Sequence, residues 1–578
     1  MVQFSQSKKL CRGHRLGVLV SAIALLGPLP AVAQSQLEEI TVTAQKREQS
    51  LQDVGITMSA FSQRDLNELN VTDTPDVAAN IPNVQVNYGF GQNAFNIRGL
   101  GINEFASNFD SPVAVHLDEV YISKNFMTSL VLFDVDRVEA LKGPQGTLFG
   151  RNTTGGSINF FTRRPTRDFE AGATVGYGNY DRLQGEAYIS GPLGDRLSAR
   201  LSGFFENQSD GFYENLTTGE DEGKADKFAV RGQLMWEGDA TSILGSLHYG
   251  EDKSEMPPYE GVGIFTPESL AAGTPAFCSE YLNGTVTGAT ANCVRGTDGL
   301  NPGDNDPFTS NNNLLHQADN TSIGGMIRVE HDFENHTLTS ITGVEYFERD
   351  QRENSDGTPV DTIDVFWYQE ITQYSQELRL TSTNNAKWNY IVGGYYEHDD
   401  LSSDDYLTVG GGAAPGFYTS FKQNVDALAF FFHNDISVTD ELSIIAGTRW
   451  SWEKTSINGG TFIGTGLQGD GAVQSPETIL FPSAVSSEID GGGSRSDEDL
   501  SFKLGLEWQP ILSGETLNDL LVYFNVSTGF RSGGFNAAFA GSQDSFTSLA
   551  PENITAYEGG GCVSKVVEIL RRRPPNGL

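Results

Sequence analysis

Residues 137 to 165 read Arg-Val-Glu-Ala-Leu-Lys-Gly-Pro-Gln-Gly-Thr-Leu-Phe-Gly-Arg-Asn-Thr-Thr-Gly-Gly-Ser-Ile-Asn-Phe-Phe-Thr-Arg-Arg-Pro, and this stretch decides the fold. Its glycines allow positive φ values and closer packing than side chains would permit. They are Gly143, Gly146, Gly150, Gly155 and Gly156. Ser157 to Thr162 then predicts a buried strand that ends at Pro165, because proline cannot donate to a strand ladder. A phosphate-binding loop is excluded, since no Gly-Lys-Ser or Gly-Lys-Thr follows at the required spacing.

From Phe169 onward, apolar and polar residues alternate with a period of two. The pattern predicts strands with one face in an apolar medium and the other face in a polar one. Clear examples begin at Phe169, Leu197, Phe228, Ile243, Trp388 and Leu442. A soluble β-sandwich has the same period, so the alternation alone leaves both architectures open.

The lengths of the connections between these strands distinguish a membrane barrel from a soluble sandwich. Short connections fall at residues 191–196, 237–241, 333–336, 384–387 and 439–441, and long ones fall at residues 209–224, 253–321, 352–367, 402–422 and 457–498. Regular alternation of short turns and long loops is typical of a transmembrane antiparallel β-barrel of an outer membrane, with turns in the periplasm and loops outside. Barrels also close their strand edges, for which lipid offers no hydrogen-bond partner.

Residues 51–165 have a different character and predict a small mixed α/β domain. Ser62 is a candidate N-cap for one short helix, and Thr74-Pro75 starts a second. Strand-like pieces follow at residues 84–86, 95–99, 113–117 and 134–139. A domain of about 115 residues is large enough to fold as an independent unit.

The first 33 residues predict an export signal peptide. A positively charged start precedes the apolar run from Leu16 to Leu26, and Ala31-Val32-Ala33 supplies the small residues of a cleavage site. The apolar run is shorter than the roughly 20 residues of a transmembrane helix. We therefore expect an exported protein that begins, after cleavage, at Gln34.

Composition and motif content exclude several functions. The formal net charge of −37 argues against nucleic-acid binding, which requires basic surfaces. The 8 histidines are scattered without metal-ligand spacing, and neither His-Glu-x-x-His nor Gly-x-Ser-x-Gly occurs. The sequence therefore predicts no metal site, no cofactor and no enzyme activity.

Two cysteines share one polar, glycine-rich stretch. Because export leads to an oxidising compartment, we expect Cys278 and Cys293 to form a disulfide. Two free thiols are the alternative. Cys562 is left without a partner by this pairing.

The chain resembles the TonB-dependent receptors of outer membranes from about Leu37 to Glu558. Residues 137–165 are similar to the end of the plug domain of that family, which fills the barrel. Further similar segments are Asn96-Ile97-Arg98-Gly99, Val115 to Tyr121, Ser527 to Asn536 and Pro551 to Glu558. Glu119 departs from the family, in which glycine is common at this position, and we expect it to strain or rigidify a plug turn.

The segment Glu39-Ile40-Thr41-Val42-Thr43-Ala44 resembles a TonB box. In the family this segment pairs as an added strand with the periplasmic partner TonB. An extended β-branched run suits that role, because its main chain offers hydrogen bonds and its alternate side chains give selectivity. An ordinary first strand is the alternative interpretation.

The resemblance implies a domain order and a mechanism. The order is a signal peptide at 1–33, a TonB box segment at 34–50, a plug at 51–165 and a barrel at 166–560. A scarce ligand is expected to bind at the outer face, and TonB, driven by the inner-membrane proton-motive force, to pull on the box so that the ligand enters the periplasm. Outer-membrane lipid and lipopolysaccharide would surround the barrel. The short segment before the box implies that the signalling domain of some relatives is absent.

The family most commonly carries ferric siderophores, and an oligosaccharide or another bulky nutrient is the alternative. Residues 87–95 and 101–111 are candidate plug apices. Aromatic and amide side chains suit stacking on, and hydrogen bonding to, either class of ligand. The candidate contacts are Tyr88, Phe90, Gln92, Asn93 and Phe95.

The C-terminal part departs from the family. Phe169 to Gly559 contains about 14 predicted strands, whereas the family barrel has about 22. Residues 561–578 show no alternation, which suggests a frameshifted tail and a C-terminally truncated barrel. We expect such a chain to fail to insert, because unpaired strand edges are costly in hydrocarbon. A closed 14-strand barrel with the plug displaced is the alternative.

Other functions predict different sequences. A passive porin would lack both plug and box, and a pure adhesin would have no use for a plug. A transporter, or a non-functional fragment of one, therefore fits the sequence better than either rival.

Overall fold

The computed structural model describes residues 40–564, except for residues 70, 72–73, 90, 103–105, 131–132, 260–263, 266–293, 296–307, 311, 358–362, 384–386, 410–414, 466–482, 512–518, 538 and 540–546. The predicted signal peptide, Glu39, Phe90, Cys278 and Cys293 lie outside the described residues, as does the chain beyond Ser564. Statements about those residues stay predictions.

The N-terminal part forms a mixed α/β domain. Its elements are β1 (Thr41–Val42), β2 (Gln49–Ser50), β3 (Met58–Ser62), α1 (Gln63–Glu68), α2 (Thr74–Ala79), β4 (Val84–Gly89), β5 (Gln92–Ile97), β6 (Val113–Leu117), β7 (Val120–Ile122), β8 (Val135–Lys142) and β9 (Gly156–Thr162). Five strands form one sheet in the order β3-β8-β9-β6-β7, with β6 and β9 parallel. Apolar side chains of both helices pack on this sheet and form the domain core.

The two helices begin where the sequence predicts. The Ser62 hydroxyl accepts from the Asp65 N–H (3.3 Å), and the Asp65 carboxylate accepts from the Ser62 N–H (2.9 Å), which completes a capping box at the start of α1. Pro75 lies in the first turn of α2, where its missing N–H costs no hydrogen bond. Each helix has only 6 residues, so packing rather than intrinsic propensity must hold it.

The following residues form mainly strands. They are β10 (Glu170–Tyr177), β11 (Arg182–Pro192), β12 (Leu197–Gln208), β13 (Tyr213–Asn215), β14 (Asp221–Glu222), β15 (Ala225–Glu237), β16 (Thr241–Asp252), β17 (Ile264–Phe265), β18 (Val294–Arg295), β19 (Thr309–Ser310), β20 (Gln317–Asp332), β21 (His336–Asn354), β22 (Ile363–Ser382), β23 (Trp388–Val409), β24 (Gly416–Ser437), β25 (Leu442–Thr465), β26 (Ser483–Trp508), β27 (Asp519–Arg531), β28 (Gly534–Phe535), β29 (Ser548–Leu549) and β30 (Glu552–Ser564). A 14-stranded antiparallel sheet takes the order β10-β11-β12-β15-β16-β20-β21-β22-β23-β24-β25-β26-β27-β30, which confirms the predicted count.

Side chains alternate across this main sheet. On β22, Ile371 and Gln373 are buried, whereas Tyr374 and Leu378 on the opposite face are 49% and 50% exposed. Gln373 faces the α/β domain and donates to the Tyr121 carbonyl (2.7 Å). The α/β domain therefore lies against the inner face of the sheet, and the apolar outer face is left for lipid.

The short connections agree with the sequence, but two of the predicted long loops are wrong. Residues 402–422 and 457–498 belong mostly to β23, β24, β25 and β26. Strands of 22 and 26 residues are much longer than the roughly 9–11 residues that cross a bilayer. Beyond the lipid, polar residues are tolerated on both faces, so the apolar alternation that predicts strands disappears there.

The turn between β6 and β7 is tight. Asp118 (φ 49) and Glu119 (φ 71) both have positive φ, as in a type I′ hairpin turn. Non-glycine residues in this region carry strain of about 1–3 kcal/mol each, as the departure from glycine at Glu119 predicts. The Asp118 carboxylate accepts from the N–H (2.8 Å) and the hydroxyl (2.7 Å) of Thr162, which fixes the turn on β9.

The last described strand is longer than predicted. β30 continues to Ser564, which pairs with Asp519, so the barrel boundary predicted at residue 560 is too early. Glycines at 559–561 hide the alternation, while the backbone ladder continues through them. In the part of the chain that the structure describes, β10 and β30 each pair on one side only.

No helix within the described ranges has the length and apolarity needed to cross a membrane.

Candidate functional site

The predicted TonB box is folded against the α/β domain. β1 pairs antiparallel with β2, and the main chain of Ile40 accepts from Leu51 (3.0 Å). Val42 is 0% and Ala44 is 1% exposed, because both side chains pack in an apolar cluster that includes Leu141. These contacts hold the segment on the α/β domain.

Thr43 fastens the segment to β8. Its N–H donates to Glu139 Oε1 (2.9 Å), and its hydroxyl donates to the same oxygen (3.3 Å). Arg137 donates to the Thr43 hydroxyl (3.1 Å) and to Glu139 (2.8 Å), and its guanidinium lies 3.9 Å from the centre of the Phe161 ring. Burial raises the pKa of Glu139, while Arg137 opposes that rise.

Lys46 lies in the box segment, two residues after Ala44, and belongs to an ion-pair cluster between the α/β domain and the main sheet. The Glu119 cluster consists of Lys46, Glu119, Arg328, Glu330, Glu377 and Arg379. Lys46 Nζ lies 2.5 Å from Glu377 Oε2, and Arg379 Nη1 lies 2.7 Å from Glu377 Oε1. Glu119 accepts from both Arg328 and Arg379, so the cluster continuously joins box segment, domain and sheet.

The two arginines keep Glu119 charged. Burial by itself would raise the pKa of this carboxyl, but Arg328 and Arg379 outweigh it and hold the pKa well below its ordinary value. Both arginines lie close to the short-turn ends of their strands, β20 and β22. Glu119 therefore ties the strained β6–β7 turn to the sheet near those turns.

A second cluster lies farther from the short turns. The Arg151 cluster consists of Asp110, Lys124, Arg151, Glu397, Asp399 and Glu453. The Arg151 guanidinium lies 2.5 Å from Glu397, 2.9 Å from Glu453, 3.2 Å from Asp110 and 3.4 Å from Asp399. One buried guanidinium thus bridges a plug carboxylate and two barrel strands, β23 and β25.

The α/β domain is also tied to the third strand and the last strand of the sheet. Arg200 on β12 pairs with Asp134, and both side chains are buried. On β30, Glu558 Oε1 accepts from the Thr57 N–H (2.8 Å), and Glu558 Oε2 lies 3.1 Å from Arg98 Nη1. The predicted plug-motif residue Arg98 therefore makes a domain-to-sheet contact.

The glycines of the deciding stretch allow tight contacts. Within this stretch positive φ occurs at Gly143, Gly150 and Gly156, and the plug-motif residue Gly99 also has positive φ. A Cβ on Gly156 would lie 2.1 Å from the Leu141 carbonyl oxygen, and one on Gly146 would lie 2.6 Å from Ser501 Oγ of the main sheet. A Cβ on Gly155 would approach Val113 to 3.0 Å. Any larger residue would push the domain away from the sheet or from its own strands.

The predicted ligand contacts do not share one surface. Tyr88 on β4 is 47% exposed, whereas Gln92 and Asn93 on β5 are buried. Phe95 is 0% exposed in the core of the α/β domain, so its predicted ligand contact is at odds with the structure. The β4–β5 hairpin directs the ring of Phe95 inward, which the local sequence does not reveal.

Sequence reasoning missed the barrel partners of both clusters. Glu377, Arg379, Glu397 and Glu453 occupy inward positions of their strands and belong to no local motif. Charged residues at the inward positions of a period-two strand are the pattern that could have marked them. Among the described residues, no group of three or more His, Cys, Asp or Glu side chains could hold a metal ion.

The fold and the site define a class: a β-barrel of outer-membrane type that contains an α/β plug. The family described as TonB-dependent Receptor Plug Domain matches residues 50–157, and the family described as TonB dependent receptor-like, beta-barrel matches residues 275–561. The chain belongs to the TonB-dependent receptors of Gram-negative outer membranes. The predicted fold class and location are thereby confirmed.

Individual relatives are similar over different lengths. The pesticin receptor of Yersinia pestis is 22% identical over 544 residues, which cover 92% of this chain and 70% of that protein. The ferripyoverdine receptor of Pseudomonas aeruginosa is 27% identical over 145 residues, 25% of this chain and 17% of that receptor. The structure of the ferric yersiniabactin uptake receptor FyuA from Yersinia pestis has a TM-score of 0.67 at 17% identity, over 88% of this chain and 69% of that chain, and shows the shared fold.

Proposed function

We propose that this chain takes up a ferric siderophore across the outer membrane by active transport that is energised through TonB. The main support for this proposal is the position of the box segment. It packs against the plug through β1 and β2, and its Lys46 contacts the Glu119 cluster near the short turns of the barrel. The plug contacts strands from β12 to β30 through side chains on the inner face of the sheet. A bulky solute therefore needs the plug to rearrange, which requires work.

The box segment offers TonB a β-branched strand. Releasing it breaks the Thr43–Glu139 hydrogen bonds and withdraws Val42 and Ala44 from their apolar cluster. A strand added by TonB would return main-chain hydrogen bonds to the segment. TonB would thus bind the plug by replacing hydrogen bonds within the plug with hydrogen bonds to its own strand, without any catalytic step.

The names of the relatives support a siderophore as cargo. They include a ferripyoverdine receptor and a catecholate siderophore receptor. Among the described candidate contacts, Tyr88 is exposed and supplies an aromatic surface of the kind that stacks on flat ligands. An oligosaccharide would use the same surface, so uptake measurements must include both classes.

The experiment compares iron uptake in cells that lack their own siderophore receptors. Cells that produce the chain are given radioactive iron bound to hydroxamate, catecholate or phenolate siderophores, and labelled oligosaccharides in parallel. We expect uptake of one ferric siderophore class, its loss with Val42→Pro, which removes a strand donor, and its retention with Val42→Ile as the matched control. Uptake that persists without TonB would refute active transport.

Membrane insertion has to be measured in the same cells. Among the described residues, β10 and β30 lack a neighbour on one side, and each unpaired backbone group costs several kcal/mol in hydrocarbon. Transport by this chain therefore requires that both edges be covered in the membrane. Stable, heat-modifiable protein in the outer-membrane fraction would support this, whereas degradation in the periplasm would refute transport and mark the chain as a non-functional fragment.

A further inference from the structure

Among the cavities that the described residues of plug and barrel enclose, two adjoin the Glu119 cluster. The inner cavity has a volume of about 30 Å³, with room for about two waters. It lies beneath Arg151 and is also lined by Ala429, Arg449 and Glu453. The outer cavity has a volume of about 650 Å³ and is lined by Thr337 and Thr383, next to the short turns. The outer cavity therefore lies at the periplasmic end of the plug.

The Glu119 cluster separates the two cavities. Lys46 and Glu119 line both of them, Glu377 lines the inner cavity, and Arg379 lines the outer one. Glu377 bridges Lys46 (2.5 Å) and Arg379 (2.7 Å), and Arg379 in turn donates to Glu119. The side chains that line both cavities are thus held in place by ion pairs.

Lys46, which lines both cavities, is expected to move with the box. Lys46 follows Ala44 by a single intervening residue and is anchored by Glu377 and by contacts of Nζ with the Phe149 and Phe431 rings, each 5.7 Å from the ring centre. Glu119, by contrast, is fixed in a strained two-residue turn that Asp118 holds on β9. A pull on the box would therefore withdraw Lys46 while Glu119 stays with the barrel arginines.

We propose that Lys46 and Glu119 form a gate on the exit route of the cargo, and that withdrawal of the box opens this gate. The inference rests on the proposed function and adds the place at which the pull is converted into an opening. When Lys46 leaves, Glu377 is free to turn toward Arg379, and the inner cavity beneath Arg151 joins the periplasmic one. The gate is a positioning device: neither residue needs to contact the bound cargo.

Cysteine accessibility in the purified full chain tests the gate without any cargo. The 4 native cysteines are replaced by serine, and Ala429→Cys reports on the inner cavity while Thr383→Cys reports on the outer one. Labelling by a charged thiol reagent is followed over time in detergent micelles. Lys46→Gln and Glu119→Gly open the gate, and glycine adopts the positive φ of the turn without strain.

The matched control is Glu330→Gln. Glu330 pairs with Arg328 in the same cluster but lines the outer cavity only. We expect labelling at Ala429→Cys to rise by about ten-fold or more with Lys46→Gln or Glu119→Gly, because local opening sets the rate, and to stay near the reference with Glu330→Gln. Labelling at Thr383→Cys should be the same in every background. Unchanged labelling at Ala429→Cys, or an equal rise with Glu330→Gln, would overturn the proposal.

A conservative variant keeps the test decisive if Lys46→Gln folds poorly. Lys46→Arg keeps a cation beside Glu377 and leaves the Glu377–Arg379 pair unchanged, so labelling at Ala429→Cys should stay slow. Fast labelling in a folded Lys46→Arg variant would contradict a gate held by this pair. The uptake experiment separates the two proposals: loss of transport with Val42→Pro but unaltered labelling with Lys46→Gln rejects the gate alone.

Discussion

The Arg151 cluster and the Glu119 cluster both join plug to barrel, but their charges are arranged in opposite ways. In the Arg151 cluster one guanidinium contacts four carboxylates, those of Asp110, Glu397, Asp399 and Glu453. In the Glu119 cluster one carboxylate lies between two guanidiniums, and Lys46 and Glu377 extend the chain of pairs to the box segment. The first cluster has an excess of negative charge, and the second is balanced.

This difference assigns different roles to the two clusters. Buried carboxylates repel one another when their shared cation is lost. Lys124 pairs only with Asp110, so Glu397, Asp399 and Glu453 take their ion pairs in this cluster from Arg151. The balanced cluster has several pairs of similar strength, and one of its cations belongs to the segment on which TonB is proposed to pull. It is suited to opening in steps, whereas the Arg151 cluster is suited to holding the plug in the barrel.

Arg151→Ala should have the largest effect. It leaves four carboxylates near one another, and loss of one partner of a buried pair typically costs about 3–5 kcal/mol. We expect the plug to unfold at much lower urea in detergent micelles, as monitored by proteolysis. Arg196→Ala is the control, because Arg196 pairs with Asp239 on the exposed surface; equal urea midpoints for the two variants would refute the role of Arg151.

Glu119→Gln should destabilise less. Glu330 and Glu377 still neutralise Arg328 and Arg379 after the change, so only the charge-assisted hydrogen bonds of Glu119 are lost, typically about 1.5–3 kcal/mol. The same urea titration measures this difference. A loss as large as that of Arg151→Ala would mean that the balanced cluster also depends on one residue.

Acid should weaken the Glu119 cluster. Because Arg328 and Arg379 hold the pKa of Glu119 below its ordinary value, this carboxyl stabilises the folded state above the unfolded pKa of about 4.3. That contribution is lost as the pH falls from this value through the folded pKa. We expect the thermal midpoint of Glu119→Gln to fall less than that of the unchanged chain between about pH 5.5 and pH 3. Parallel curves for the two chains would show that Glu119 is not the responsible group.

Thr43→Val should have the smallest effect and act on the box alone. It removes the hydroxyl that contacts Glu139 and Arg137 but keeps the main-chain hydrogen bond, a net change of about 0.5–1.5 kcal/mol. Hydrogen exchange of residues 40–44 should become faster while the rest of the plug is unaltered. Thr43→Ser retains the hydroxyl and serves as control; faster exchange throughout the plug would argue against a local latch.

Much of the fold was predictable from local sequence. Ser62 and Pro75 mark the helix starts through hydrogen-bonding rules that depend on a few neighbouring residues. Alternation locates the membrane-spanning parts of the strands because lipid imposes an apolar face. The extended ends of β23 to β26 escaped prediction, since outside the lipid both faces tolerate polar residues.

The site was less predictable than the fold. The β-branched character of residues 40–43 is visible in the sequence, but the burial of this segment against Leu141 and its contact with Glu139 join residues almost a hundred positions apart. Phe95 is an aromatic residue of the kind that often contacts ligands, but its side chain lies in the core of the α/β domain. A ligand contact and a core residue in such a hairpin have the same local sequence. The packing of the hairpin against the rest of the domain decides which of the two the residue becomes.

By itself, the sequence determined the class of protein: the period-two hydropathy predicts barrel strands, because lipid and water impose it locally, and the resemblance of residues 137–165 to the family implies the plug. Only the tertiary structure decided how plug and barrel are coupled. Arg151 meets Glu397 and Glu453, and Lys46 meets Glu377, across 246 to 331 positions of chain. Buried charges require partners wherever the fold supplies them, and no local pattern records which distant residue that will be.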